Sequence, residues 1–139
     1  MPSNKDDITN KLQQYDIYPT PQRVEIAQIM LAEPQHLSAE QILRQVNIAE
    51  RAAVSKATVY NTLGLFAEKG LVRQVIIDPT RVFYDSNTTA HYHFFNMDTG
   101  QLSDIEGGSI DIDVGSLPDL PENTEVDGVV VIVRIRNRS

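Results

Sequence analysis

Hydrophobic positions recur at helical spacing through the first half of the chain and give way to strand-like runs in the second. Ile8 and Leu12 stand four residues apart, a weak mark of a helix over 5–14. Val24, Ala27, Met30 and Leu31 form an apolar stripe behind Thr20-Pro21. Thr20 is a suitable N-cap there, Pro21 occupies the first helical position where a missing N–H costs nothing, and Pro34 ends the run. Leu37-Ser38-Ala39-Glu40-Gln41-Ile42 is a capping box with a hydrophobic staple. Ser38 caps the free N–H groups, Gln41 reaches back and Leu37 packs on Ile42. That helix continues through Leu43 and Val46 to about Ala49. Val54-Ser55-Lys56-Ala57-Thr58-Val59 repeats the logic, and Gly70 suits the position just past the helix end.

Two β-rich runs follow, Leu71 to Ile77 and Arg81 to Asp85, joined by the turn Asp78-Pro79-Thr80. Capped helices followed by a β-hairpin is the winged helix-turn-helix order. Beyond residue 91 only strands are predicted: His91–Met97, a turn at Asp98-Thr99-Gly100, then Gln101–Ile105. Gly107-Gly108 breaks the pattern, 115–128 is irregular, and Val129–Arg136 is a last strand whose apolar start predicts burial on both faces. The expected class is α+β, with a winged helix-turn-helix domain over 1–85 and a small β-rich domain over 86–139.

The chain has 139 residues, room for one medium domain or two small ones. No apolar run approaches the roughly 18–20 residues that span a bilayer, and the polar N-terminus lacks a signal-peptide core, so a cytoplasmic location without membrane contact is expected. Cysteine is absent, which excludes disulfides, thiolate catalysis and sulfur-ligated zinc. The net charge of −7 looks wrong for a nucleic-acid binder until it is divided along the chain. Residues 1–84 carry nine basic and nine acidic side chains; residues 85–139 carry three and ten. The first half can still present a basic face to phosphate.

On the helix after Ser55, Val59, Leu63 and Phe66 share one face, and Ala57, Asn61 and Gly64, flanked by Tyr60, share the other. A helix entering the major groove, about 12 Å wide, needs small residues with a few readers among them. Asn61 is suited to a paired hydrogen bond with adenine, and Tyr60 to a thymine methyl or a phosphate. An ordinary amphipathic helix would show the same stripe. The capped helix pair, the tight connection from Glu50 to Val54 and the hairpin beyond favour a DNA reader.

His36, His91 and His93 are the chain's three histidines. His91 and His93, two apart on a strand, point to one face. A tight turn at Asp98-Thr99-Gly100 brings residue 93 opposite 104 or 105, so Asp104 lies beside the imidazoles. Asp85 ends the hairpin at the junction of the halves, and His36 precedes a capped helix. Together they form a nitrogen–oxygen site for a divalent metal, suited to iron, manganese or zinc, or for haem through an axial imidazole. A surface strand and a helix-flanking histidine explain each part separately; the coincidence of all five favours a site. A 2-His-1-carboxylate iron enzyme fits the ligand types too, but five ligands leave few open positions.

Pro19-Thr20-Pro21-Gln22-Arg23, His36-Leu37-Ser38-Ala39-Glu40, Ser55-Lys56-Ala57-Thr58-Val59-Tyr60-Asn61-Thr62-Leu63, Gly70-Leu71-Val72 and Asp85…His91-Tyr92-His93 carry a resemblance to the ferric-uptake-regulator superfamily over essentially the whole chain. The resemblance implies a homodimeric bacterial repressor with an N-terminal winged helix and a C-terminal dimerisation domain. It places the regulatory metal at His36, Asp85, His91, His93 and Asp104. Most members carry a Cys-x-x-Cys structural zinc motif where this chain has Asn96 and Thr99, so no such zinc is expected. Most also carry a long helix where Ser109–Leu117 is short, and many a basic minor-groove residue where this chain has Tyr18. Phe83–Asn87, His91–Phe95 and Leu117-Pro118-x-x-Pro121 look like the iron response regulator branch, which senses iron status through haem; His91 and His93 are then the haem candidates. Members often have three consecutive histidines, and here the middle one is Tyr92; the Cys-Pro haem motif of some members is missing.

These readings imply a regulator rather than an enzyme. It would bind double-stranded, A·T-rich, roughly palindromic operators as a homodimer under iron or haem control, with Mn2+ or Zn2+ fitting the same site. Tyr60 and Asn61 would read bases, and Arg23, Ser55, Lys56 and Thr58 would contact the DNA around them. The alternatives are an Fe(II)-dependent peroxide-sensing repressor of the same superfamily and a small non-haem iron enzyme.

Overall fold

The computed structural model describes residues 4–49, 54–88, 92–105, 118–126 and 131–139. The chain divides into two compact units, Met1–Thr89 and Ala90–Ser139. The sequence features at Glu50–Ala53, Gly107-Gly108 and Ser109–Leu117 lie outside the described residues. Among the described residues no helix is long and apolar enough to cross a membrane.

In the first unit, α1 (Lys5–Gln14) buries Ile8 and Leu12 and is capped by Asn4, whose side chain accepts the Asp7 N–H at 2.8 Å. α2 (Pro21–Met30) starts at Thr20, whose hydroxyl oxygen accepts the Arg23 N–H at 3.3 Å. It buries Ile26 as well as Val24, Ala27 and Met30, because it packs against three other helices rather than one. α3 (Ala39–Ala49) carries the expected capping box. Ser38 Oγ accepts the Gln41 N–H at 3.2 Å, and Gln41 Oε1 accepts the Ser38 N–H at 2.8 Å.

α4 (Lys56–Glu68) is capped by Ser55, which accepts the Thr58 N–H at 3.1 Å. Its entry is fixed by Asn47 of α3, whose Oδ1 accepts the Val54 N–H at 2.7 Å. It closes in a Schellman turn: the Leu71 N–H donates to Phe66 O at 2.9 Å and the Gly70 N–H to Ala67 O at 3.1 Å, with Gly70 at φ 82°. Leu71 is thus spent on ending the helix, and the strand predicted from Leu71 begins at Arg73.

The helices share one core centred on Ile42, Val59, Leu63 and Phe66, and a small sheet flanks it. Sequence reading missed its first strand, β1 (His36–Ser38), three residues long. It pairs antiparallel with β3 (Arg81–Asp85), which pairs with β2 (Arg73–Asp78) in the order β1-β3-β2. Asp78 holds the wing turn, accepting the Thr80 N–H at 2.9 Å and Arg81 Nε at 2.7 Å. Those bonds, the arginine's above all, pull its carboxyl down to about 2.

The second unit contains β4 (His93–Asn96), β5 (Leu102–Asp104) and β6 (Ile132–Ile135) in the order β5-β4-β6. β4 and β5 form the predicted hairpin, and β6 runs parallel to β4. Asn96 organises the turn. Its Oδ1 accepts the N–H groups of Asp98 and Thr99 at 2.9 and 3.1 Å, and its Nδ2 donates to Asn137 Oδ1 at 2.9 Å. Asp98 Oδ2 accepts the Asn137 N–H at 2.8 Å. Of the last strand, predicted to be buried on both faces at its apolar start, Val129 and Val130 lie outside the described residues; among those described, Ile132 and Val133 are half-buried, and Arg134 and Ile135 are exposed. Among the described residues β6 lies at the edge of a three-stranded sheet and pairs with β4, which leaves its other side without a strand there.

Candidate functional site

Strand register positions the candidate metal ligands in each unit. In the first, His36 of β1 stands directly opposite Asp85 of β3, and His36 Nε2 lies 3.3 Å from Asp85 Oδ2. Ser86 fixes the approach of β1: its hydroxyl accepts the Gln35 N–H at 3.1 Å and donates to Glu33 O at 3.2 Å. Gln35 in turn donates its side-chain amide to Ile29 O at 2.6 Å, anchoring the segment to the end of α2. Asp85 is buried, and its Oδ1 accepts the Asn87 N–H at 2.8 Å, which leaves Oδ2 facing the imidazole.

In the second unit, His93 and Asp104 are opposed across the β4–β5 hairpin, as the turn predicts, with Nε2 and Oδ1 3.4 Å apart. His93 is buried, whereas the Asp104 carboxylate is 40% exposed. His91, the fifth candidate, lies outside the described residues.

Both separations exceed the roughly 2.7–3.2 Å of a well-formed N–H···O bond. Two donors each about 2.1 Å from one divalent cation are about 3.0 Å apart at a right angle and about 3.4 Å apart at the tetrahedral angle. Each pair therefore has the spacing of two ligands of a common ion. Neutral imidazole with carboxylate is also a donor set suited to zinc, manganese or iron(II). The residues present fit a metal.

The candidate DNA-reading residues are all in the first unit. Along α4 the outer positions Ala57, Tyr60, Asn61 and Gly64 are exposed, while Val59, Thr62, Leu63 and Phe66 are buried. Small residues on the outward face leave Tyr60 and Asn61 exposed there. Ser55 spends its hydroxyl on the Thr58 N–H and, at 2.9 Å, on Thr58 Oγ1. Arg23 donates to Tyr18 O at 3.0 Å, bracing the entry to α2 beside the exposed Tyr18. Lys56 pairs with Glu40 of α3 at 3.0 Å. Glu40 was missed as a functional candidate because the capping-box pattern accounts for the residues on either side of it; its proximity to α4 is tertiary and has no local signal.

A winged helix-turn-helix unit followed by a small β-rich unit, with a histidine–aspartate pair in each, defines the class: a two-unit, metal-competent winged-helix protein. The ferric uptake regulator family model matches residues 15–114, and the chain belongs to that family. It is 30% identical over 95 residues to the peroxide-responsive repressor PerR of Staphylococcus aureus strain Mu50, a match covering 68% of this chain and 64% of that relative's length. The fold is shared with the ferric uptake regulator of Pseudomonas aeruginosa with manganese, at 24% identity and a TM-score of 0.67, covering 94% of this chain and 98% of that one. It is likewise shared with the ferric uptake regulator of Vibrio cholerae, at 20% identity and a TM-score of 0.66, covering 93% and 98%.

Proposed function

We propose that this chain is a DNA-binding transcriptional regulator, acting as a homodimer, whose operator affinity is set by a metal or haem. His36, Asp85, His91, His93 and Asp104 are its ligand set. The observation that carries the reading is the pair of histidine–aspartate contacts at 3.3 and 3.4 Å, one in each unit, both fixed by strand register. When bound, the metal supplies a charge that only a converged set of donors can satisfy; the chain's part is to bring neutral imidazoles and carboxylates to it. Tyr60 and Asn61 read bases in the major groove, and Arg23, Ser55, Lys56 and Thr58 contact the DNA around them.

The test is anisotropy on a duplex from the chain's own promoter, with protein stripped of metal and then supplied with Fe(II), Mn(II), Zn(II) or haem. Binding in one state and weaker binding in another is the expected result. Absence of promoter binding in every state overturns the reading; turnover of an organic substrate without DNA binding would instead indicate a non-haem iron enzyme.

Within the family, we place the chain with the iron response regulators. Asn96 and Thr99, where most members have cysteines, and the Leu117-Pro118-x-x-Pro121 segment support this branch. The identity to a peroxide-responsive repressor favours a second reading, in which peroxide would be the oxidant, giving up one oxygen atom to a histidine of the Fe(II)-loaded site and leaving as water. Mass spectrometry of the Fe(II) form after peroxide separates the two: addition of one oxygen atom to His36 or His91 selects the peroxide sensor.

A further inference from the structure

The outward face of α4 has a carboxylate at its edge. Glu40, in the first turn of α3, lies with Oε1 3.0 Å from Lys56 Nζ and 3.3 Å from the Tyr60 hydroxyl, which donates to it. Lys56 Nζ is also 5.7 Å from the centre of the Tyr60 ring, within cation–π range. One acid, one base and one aromatic ring thus form a closed triangle on the surface offered to DNA. The Lys56 contact is the stronger edge, since 3.3 Å is long for an O–H···O bond.

From this triangle we infer that Glu40 is a specificity-determining residue for DNA. By holding Lys56 against Tyr60, it withholds one cation from indiscriminate phosphate contact and presets the position of the reading ring. The inference rests on the DNA-binding reading above. A phosphate approaching α4 meets a pair that is neutral overall rather than a free lysine, so sequence-independent attraction is reduced by about one contact. A correct site repays displacement of the carboxylate through base-edge bonds; a wrong one does not. The pairing lowers the pKa of Glu40 and raises that of Lys56, each chiefly through their mutual hydrogen bond. Arg44, one turn along α3, adds a smaller attraction to the same carboxylate.

The experiment compares the full-length protein with Glu40→Gln and Glu40→Asp, by anisotropy on a promoter duplex and on a random 30-bp duplex, from about 50 to 200 mM salt. Glu40→Gln should bind the random duplex more tightly, with a salt slope steeper by about 0.9. The gain over the parent should be about 3.5-fold larger at the low end of that range than at the high end, the share of one phosphate contact. The ratio of promoter to random affinity should fall, and Glu40→Asp should restore part of it. Both variants should melt where the parent does, since the pair is exposed. If Glu40→Gln leaves the slope and the ratio unchanged while the parent discriminates between duplexes, Glu40 has no such role. If the parent binds neither duplex in any metal or haem state, the regulator reading fails with it.

Discussion

Tyr60 and Asn61 are exposed on a face of α4 shared with Ala57 and Gly64, and that exposure decides what their removal should do. Tyr60→Ala should cost about 1–3 kcal/mol of promoter binding, the worth of a good base contact, while leaving the salt slope as it was. An unchanged promoter affinity by anisotropy would remove Tyr60 from the reading set. Asp78 offers a second check on single-residue physics. Its carboxyl is held at about 2 by Arg81 and Thr80, below the ordinary value of about 3.9. The stability it contributes is complete above that ordinary value and is lost as pH falls through its folded pKa. Carboxyl NMR should place its midpoint near 2, and Arg81→Gln should return the midpoint toward the ordinary range. For the metal, His93→Ala and Asp85→Asn should each weaken Zn2+ or Mn2+ binding in calorimetry by at least the roughly 10–100-fold lost with an outer-shell partner. Unchanged affinity in either variant would take that residue out of the site.

At the scale of elements, caps and turns do the specifying. Gly70 sits at φ 82°, and a Cβ there would meet no atom within 4 Å, so Gly70→Ala isolates conformational strain from clash. It should destabilise the protein by about 1–2 kcal/mol, read as a lower urea midpoint with an unchanged m-value. These local devices are also why the helices were legible. Thr20-Pro21, the Ser38–Gln41 box and Ser55 each carry their partner within three residues. The β4–β5 register was legible for the same reason, because a short turn determines it. β1 was not: three residues are too few for a period, and its pairing with β3 spans almost fifty positions of sequence. The exposure of Arg134 and Ile135 in the last strand was not legible, because an apolar run records what a strand could bury, not how many neighbours its sheet provides.

Across the whole molecule, net charge is unevenly divided along the chain. The acidic excess lies after residue 84, while the candidate readers lie in the balanced first part. The hydrophobic cluster that holds the first unit's helices together is built from aliphatic and aromatic side chains, with the candidate ligands His36 and Asp85 on the flanking sheet. Stripping metal with a chelator should therefore leave its helical circular dichroism nearly intact while altering promoter affinity; loss of both together would mean that the metal is needed for folding. The types of ligand and the family pattern made His36 and Asp85 legible as candidates. Their apposition had no local signature, since it comes from β1 lying against the end of β3.

That short strand has a mechanical consequence. His36 and Glu40 are separated by Leu37, Ser38 and Ala39, and no slack intervenes. The ladder to β3 clamps the first two of those three residues, and the Ser38–Gln41 box clamps the turn onto α3. The linkage behaves as a stiff lever with an imidazole at one end and, at the other, the carboxylate that touches Tyr60. A backbone displacement at His36 that keeps the ladder bonds would pass along these residues toward Tyr60. Titrating Zn2+ into the protein should therefore perturb the Tyr60 ring resonances at the same stoichiometry as those of His36, and metal binding that leaves Tyr60 silent would show that the lever is slack.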